Sequence, residues 1–498
     1  MSSSTSSQKV ITNSVIYTVA GLLQKCFSFF LLPLYTAYLT TSDYGITSIT
    51  GSFTATMSFV VTFSLFSAVL RFYVDLKNDP EKLRRFYGTV VLFVFISGAF
   101  FAGLFTVLRD SLTKYIFGDI DFFPVIMICL IELTFHCQHT MYQNILRSQQ
   151  KATKCAVLSL TYFFVTLSLN ILFVVGFKMG ATGVLLSALI SGLVYTIYFV
   201  VDMLRTKAMV ICFDIKLLKD ALKYSIPIMP HNLSTSITML VSKVLIQGTT
   251  SLAALGVYSV ATQFGNMADT VQTYINNAYG PWLYERLHEK TEGYKATIRS
   301  VVNMLCSVTG IFFIALSLFA HDYILLFIDK SYIEAWKYVP LIVIVFAVKI
   351  PYYFYINILF YYKKASRMIF IATLSSSILN MVLSYILIPK FDVYGSILAD
   401  GIAMFLRVLI VVVLSKKFED VGLKIKDFFV HFFVVSAFIL VGLSLSYFKY
   451  EDTFSLLNLA FKILVIAIYV AGVAFVHRKQ LVIYIGLIKN KVGRKNGF

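Results

Sequence analysis

Charge is scarce in this 498-residue chain, with Asp, Glu, Lys and Arg together making up 14% of it, against roughly 25% in soluble proteins. Polar stretches are short, and 58% of residues are apolar. Soluble-enzyme and disordered classes are excluded, because neither strings apolar residues into long unbroken runs. Cysteine is sparse. The six, Cys26, Cys129, Cys137, Cys155, Cys212 and Cys306, include no CxxC pair, which argues against a disulfide framework and a zinc module. No GxxxxGK[ST] occurs, so ATP hydrolysis within the chain is not expected. The opening MSSSTSSQKV lacks the basic start and small-residue cleavage site of a secretory signal, and the first apolar segment is expected to be retained.

What is present is one apolar run after another. A helix needs about 20 such residues to cross the hydrocarbon of a bilayer. Runs of that length fall near 12–39, 44–70, 86–108, 123–146, 155–177, 180–201, 224–246, 252–280, 297–319, 335–358, 364–388, 394–414, 426–447 and 455–476. The expected fold is an all-α polytopic membrane protein with fourteen transmembrane helices. Barrel strands would be about half as long, with alternating polarity.

The formal charge of +18 would suggest nucleic acid in a soluble chain. The positions of the charges indicate a topology instead. Of the 43 Lys and Arg residues, 31 fall on the side of the N-terminus and every second connection, and seven on the opposite side. The positive-inside rule then places both termini in the cytoplasm.

Adding 211 to the first six runs nearly reproduces the next six. Asp43-Tyr44-Gly45-Ile46 falls against Leu255-Gly256-Val257-Tyr258, and Gly180 to Gly183 against Asp392 to Gly395, one residue further along. Six is even, so the two repeats share one orientation, with a substrate site expected between them near mid-bilayer. The expected domains are an N-lobe (1–205), a C-lobe (206–416) and two added spans with a basic tail (417–498).

Seven stretches carry a resemblance: FFLLPLYTAYLTTSDYG (29–45), SLFSAVLRFY (64–73), KYSIPIMPHNLSTSITMLVSKVLI (223–246), LGVYSVATQFG (255–265), YGPWLYERL (279–287), EAWKYVPLIV (334–343) and NILFYYKKASRM (357–368). Their order and spacing resemble bacterial polysaccharide flippases of the Wzx type, within the multidrug/oligosaccharidyl-lipid/polysaccharide exporter superfamily. The resemblance implies two six-helix bundles in a V that open alternately inward and outward. The implied substrate is an undecaprenyl-diphosphate-linked oligosaccharide. Related sequences often carry an acid before the lysine of 223–246, where this chain has Ser242 before Lys243.

Five basic residues fall inside spans: Lys25, Lys243, Lys349, Arg407 and Lys462. Such charges cost several kcal/mol unless they face a cavity or a partner. Lys25 beside Gln24, and Lys349 before Pro351, are expected to line a substrate cavity. Lys243 is expected either there or snorkelling to the outer surface, and Lys462 is expected to snorkel. Arg71 closes the second span and suits a gate or a topology charge. Asp400 and Arg407, seven residues apart, are expected in structural ion pairing. Glu132, His136, His139 and Gln143 recur at helical spacing as one polar stripe at nearly the repeat-equivalent depth of Lys349. Glu132, His136 and Asp269 are candidates for ion coupling, with His139 and Gln143 as sugar-binding groups. His136 and His139 lack a second ligand pair, so no metal site is expected.

The expected function is flipping of the lipid-linked oligosaccharide from the cytoplasmic to the outer leaflet of the bacterial cytoplasmic membrane, for surface polysaccharide biosynthesis. It needs no cofactor and no bond breaking, only differential binding in two states. Expected partners are the anionic lipid-linked substrate, membrane lipids and other polysaccharide-assembly proteins, with no nucleic acid. The alternatives are a lipid II-type flippase and a drug/cation antiporter of the same superfamily. A polymerase or ligase would be expected to carry a large external catalytic loop, and the sequence has none.

Overall fold

The computed structural model of the chain describes residues 16, 18–362, 365 and 368–478. Lys363, Lys364 and Arg367, and the basic tail after Arg478, lie outside the described residues. The helices follow the expected order: α1 (Thr18–Tyr38), α2 (Thr41–Val61 and Leu65–Leu76), α3 (Pro80–Val107), α4 (Phe122–Ser148), α5 (Ala152–Gly176) and α6 (Gly180–Arg205). They continue with α7 (Met229–Thr249), α8 (Leu252–Glu289), α9 (Tyr294–Phe327) and α10 (Ala335–Tyr361). One helical stretch, Ile369–Phe418, breaks at Asp392 with φ 50°. Its 50 residues would extend about 75 Å, twice the need of one crossing, so it forms two spans, α11 (369–391) and α12 (393–418). The last two are α13 (Ile425–Phe448) and α14 (Leu456–Val476). Among the described residues the fourteen expected spans are therefore all present as helices.

Among the described residues ten helices qualify as spans by length and composition, and α2 qualifies as a pair bent by 46°. The helices α7 and α8 do not. Their sequences carry Asn232, Ser234, Ser236, Ser242 and Lys243, then Gln263, Asn266, Asp269, Gln272 and Asn276. Helices this polar persist in a bilayer only where their polar faces meet protein or water. Burial divides the rest: half of the most apolar window is buried in α4, α9 and α10, against 11% in α1 and α5.

Helix starts follow local chemistry. Thr40 caps α2 in a reciprocal capping box with Asp43, satisfying two orphan donors at once. The same carboxylate accepts from the Ala181 amide at 3.0 Å, tying the start of α2 to that of α6. Gly180, with φ 55°, takes a left-handed turn that glycine adopts freely. Its repeat counterpart is Asp392, which has nearly the same φ.

The chain packs as two compact units. One comprises residues up to Val260 with Thr373–Ala399, and the other Ala261–Ala372 with the segment from Asp400. In the second, α14 is pinned to α9. Lys462 Nζ donates to Asp322 Oδ2 at 2.7 Å and lies 3.1 Å from His321 Nδ1. The Tyr469 hydroxyl donates to the Ser307 carbonyl at 3.3 Å. Lys462 is fully buried, so the expected snorkelling is wrong. Its amine is neutralised by a carboxylate on α9, which runs to Phe327, beyond the apolar run that ended near residue 319.

Candidate functional site

In the first unit, α2 meets α7 and the start of α8. A side chain added at Gly45 would lie 2.1 Å from the Leu252 carbonyl oxygen, and one at Gly256 would lie 1.9 Å from that of Thr41. Each glycine is the other's counterpart at the 211 offset, and so are Thr41 and Leu252. The contact is reciprocal, as across a local two-fold axis. One turn further on, Ser259 Oγ donates to Ser48 Oγ at 2.6 Å, again 211 residues apart. Lys243 Nζ donates to the Ser48 carbonyl at 3.1 Å. Lys243 thus points at α2 and does not snorkel, and no carboxylate pairs with it among the described residues.

Lys25 is exposed on α1 and makes no hydrogen bond or ion pair among the described residues. Its neighbour Gln24 donates to the Ser159 carbonyl at 2.8 Å, which fixes α1 against α5. Arg71 forms an exposed pair with Asp75 at 3.3 Å.

The α4 stripe splits in two. Glu132 is buried, accepts from Thr54 Oγ1 at 3.3 Å and lies 3.7 Å from His136 Nδ1. One turn on, His139 stacks on Tyr162, with ring centroids 4.2 Å apart, and Gln143 accepts from Cys155 Sγ at 2.7 Å. His139 Nδ1 and Gln143 Nε2 are buried without a partner among the described residues.

The second unit holds Lys349, which forms an ion pair with Asp269 at 2.5 Å. The two residues were expected in separate roles, one as an anion ligand and one as a cation ligand. They are instead one pair bridging α10 and α8. The Tyr353 hydroxyl donates to the same oxygen of Asp269 at 2.8 Å. The amine also lies 5.4 Å from the centre of the Phe346 ring and 5.0 Å from that of Tyr353, attracted by both faces. Below the pair, Gln272 donates to the Phe346 carbonyl and Asn357 to Asn276 Oδ1, extending a polar ladder between the two helices. Arg407 lies within electrostatic reach of Asp400 and Tyr352. Among the described residues no group of three or more His, Cys, Asp or Glu side chains could hold a metal ion.

Sequence reasoning missed Ser48, Ser259, Tyr353 and Asp322. The serines were findable, since the 211 offset relates them. Tyr353 lies one turn from Lys349 on the same face.

A fourteen-span helical protein whose repeats meet in register, with cations at membrane depth, has the architecture of a transporter. The comparisons agree. A solved structure described as lipid II flippase MurJ in an inward closed conformation aligns with 94% of this chain and 100% of its own, at TM-score 0.69 and 15% identity. An inward-facing multidrug-resistance transporter of the MATE family aligns with 79% of this chain and 94% of its own, at TM-score 0.59 and 14% identity. The chain belongs to the polysaccharide biosynthesis protein family, matched over residues 10–287. The family agrees with the polysaccharide side of the resemblance to Wzx-type flippases, the solved structures share the expected fold, and by their descriptions these structural neighbours are a flippase and a transporter. A Haemophilus influenzae protein described as an uncharacterized membrane protein is 28% identical over 129 residues, 26% of this chain and 31% of that relative's length.

Proposed function

We propose that this protein flips an undecaprenyl-diphosphate-linked oligosaccharide from the cytoplasmic to the outer leaflet of the bacterial cytoplasmic membrane, by alternating access between lobes formed by residues 1–205 and 206–416. The observation that carries the reading is a charge imbalance. Lys25 and Lys243 have no carboxylate partner among the described residues, and an unpaired cation at membrane depth is costly unless an anion or water meets it. A diphosphate supplies that anion, and lysine can hold and release it as a point charge.

In this reading Lys25 and Lys243 in the first unit hold the diphosphate and Arg71 guards the cytoplasmic end, and Lys349 in the second unit is an anion ligand in its own right. The unpartnered nitrogens of His139 and Gln143, with Gln24, suit the hydroxyls of a sugar. Glu132 and His136 suit a proton relay. The Gly45–Gly256 crossing, placed externally by the charge count, closes the outer end. Each negative charge moving outward across an inside-negative membrane gains roughly 2.3 kcal/mol per 100 mV, a driving force that needs no nucleotide.

The test is complementation of a strain lacking its polysaccharide flippase. The wild-type gene restores surface glycan, while Lys25→Ala and Lys243→Ala insert in the membrane and do not. Normal glycan display by both variants overturns the reading. Rescue of a strain depleted of its lipid II flippase, without rescue of the polysaccharide strain, assigns the related headgroup instead.

A further inference from the structure

Two lysine–carboxylate pairs lie at membrane depth in the second unit, and they differ in access. The Lys462 and Asp322 side chains are 0% and 7% exposed, sealed between helices, so nothing can exchange with either partner. Lys349 and Asp269 are 15% and 37% exposed. A part-exposed carboxylate on a helix as polar as α8 faces water, because contact with lipid tails would strip its hydration uncompensated. The Lys349–Asp269 pair is therefore built to open.

We infer that Asp269 is an internal stand-in for the substrate's phosphate, occupying Lys349 while the carrier is empty and yielding it when a diphosphate arrives. This rests on the flippase reading above and names how its site is regulated. The geometry provides for both states. Among the described residues Lys349 is held at one oxygen of Asp269 and against two ring faces, contacts that an ammonium leaves without breaking a bidentate clamp. When it leaves, the Tyr353 hydroxyl still donates to Asp269 and keeps the carboxylate in place. With Lys349 on Asp269 the empty site is neutral at this pair, so closing the unloaded protein adds no further uncompensated cation to Lys25 and Lys243. Substrate and carboxylate compete for one amine, so bound diphosphate is displaced after transport.

The competition has a measurable sign. Titration of the full-length protein in detergent with inorganic pyrophosphate should show Asp269→Asn binding about tenfold or more tightly than wild type, with export slowed at release or return. Asp269→Ser, which removes the charge with a smaller side chain, should show the same gain and serves should the asparagine variant fold poorly. Lys349→Gln added to either variant should abolish the gain. Pyrophosphate affinity unchanged or weaker in both Asp269 variants, or a gain that survives loss of Lys349, overturns the inference. A gain in affinity in the Asp269 variants, with the wild type itself failing to restore surface glycan, upholds the stand-in and removes the proposed substrate, so the two readings fail separately.

Discussion

Ser48 and Ser259, 211 residues apart in the chain, share a hydrogen bond of 2.6 Å. The repeat offset thus reappears as a contact between equivalent atoms, which happens only where a local two-fold axis passes between them. Lys243 donates to the backbone of that same Ser48. The contact between these helix ends and a cation without a carboxylate among the described residues therefore meet at one residue, so under the proposed function an anion at Lys243 would be sensed where the helices touch.

This contact predicts a trap. In a cysteine-free background, Ser48→Cys with Ser259→Cys should cross-link under mild oxidation, since hydroxyls 2.6 Å apart sit on Cβ atoms near disulfide separation. The cross-linked protein should lose export and regain it on reduction. Export undiminished by complete cross-linking would show that α2 and the start of α8 never part.

Gly256→Val should pry the same ends apart. Its side chain would begin 1.9 Å from the Thr41 carbonyl, and overpacking of this kind costs about 1–3 kcal/mol. That cost falls only on the state in which the helices touch, so the open state gains from about fivefold to roughly a hundredfold. Labelling of Ser48→Cys by a membrane-impermeant thiol reagent should rise in this variant. Unchanged labelling would mean that the crossing is no gate.

Removal of one buried charge at the α9–α14 junction should be severe. Lys462→Ala leaves the buried Asp322 carboxylate without its lysine and with His321 3.7 Å away, at a cost of about 3–5 kcal/mol, read as a lower thermal midpoint in detergent. Lys462→Met with Asp322→Leu should recover most of the loss, because matched apolar replacement removes both desolvation penalties. A double variant no better than the single would point away from charge burial.

Much of the architecture was legible without coordinates. Run length marked fourteen spans, and the 211 offset marked the repeat, because both follow from bilayer thickness and internal symmetry, which leave periodic traces in a chain. Pairing was less legible. Asp269 and Lys349 are 80 residues apart, and whether they meet depends on the rotation of α8 and α10 about their axes. Lys462 looked ready to snorkel because the apolar run before His321 and Asp322 hid the fact that α9 continues past them.

A pH effect follows from a cluster at the ends of α8 and α12. Burial alone would raise the Glu419 carboxyl, but hydrogen bonds from Lys290, Tyr362 and Tyr294 outweigh it and hold the group below its ordinary value of 4.5. The hydrogen bond to Glu419 correspondingly holds the exposed Lys290 amine above its ordinary value of 10.5. A depressed carboxyl stabilises the fold fully above its unfolded value and loses that contribution as pH falls through its folded one. The wild type should therefore melt above Glu419→Gln at pH 6–7, with the gap closing below about 4.5. A gap that persists in acid would assign it to packing.

The most direct measurement follows a fluorescent undecaprenyl-diphosphate-linked oligosaccharide in vesicles holding only this protein. Wild type should move the lipid from one leaflet to the other, faster when the voltage drives anions in that direction, and Lys25→Ala and Lys243→Ala should not. Movement by both variants at the wild-type rate, or none by wild type under any voltage, would contradict the account.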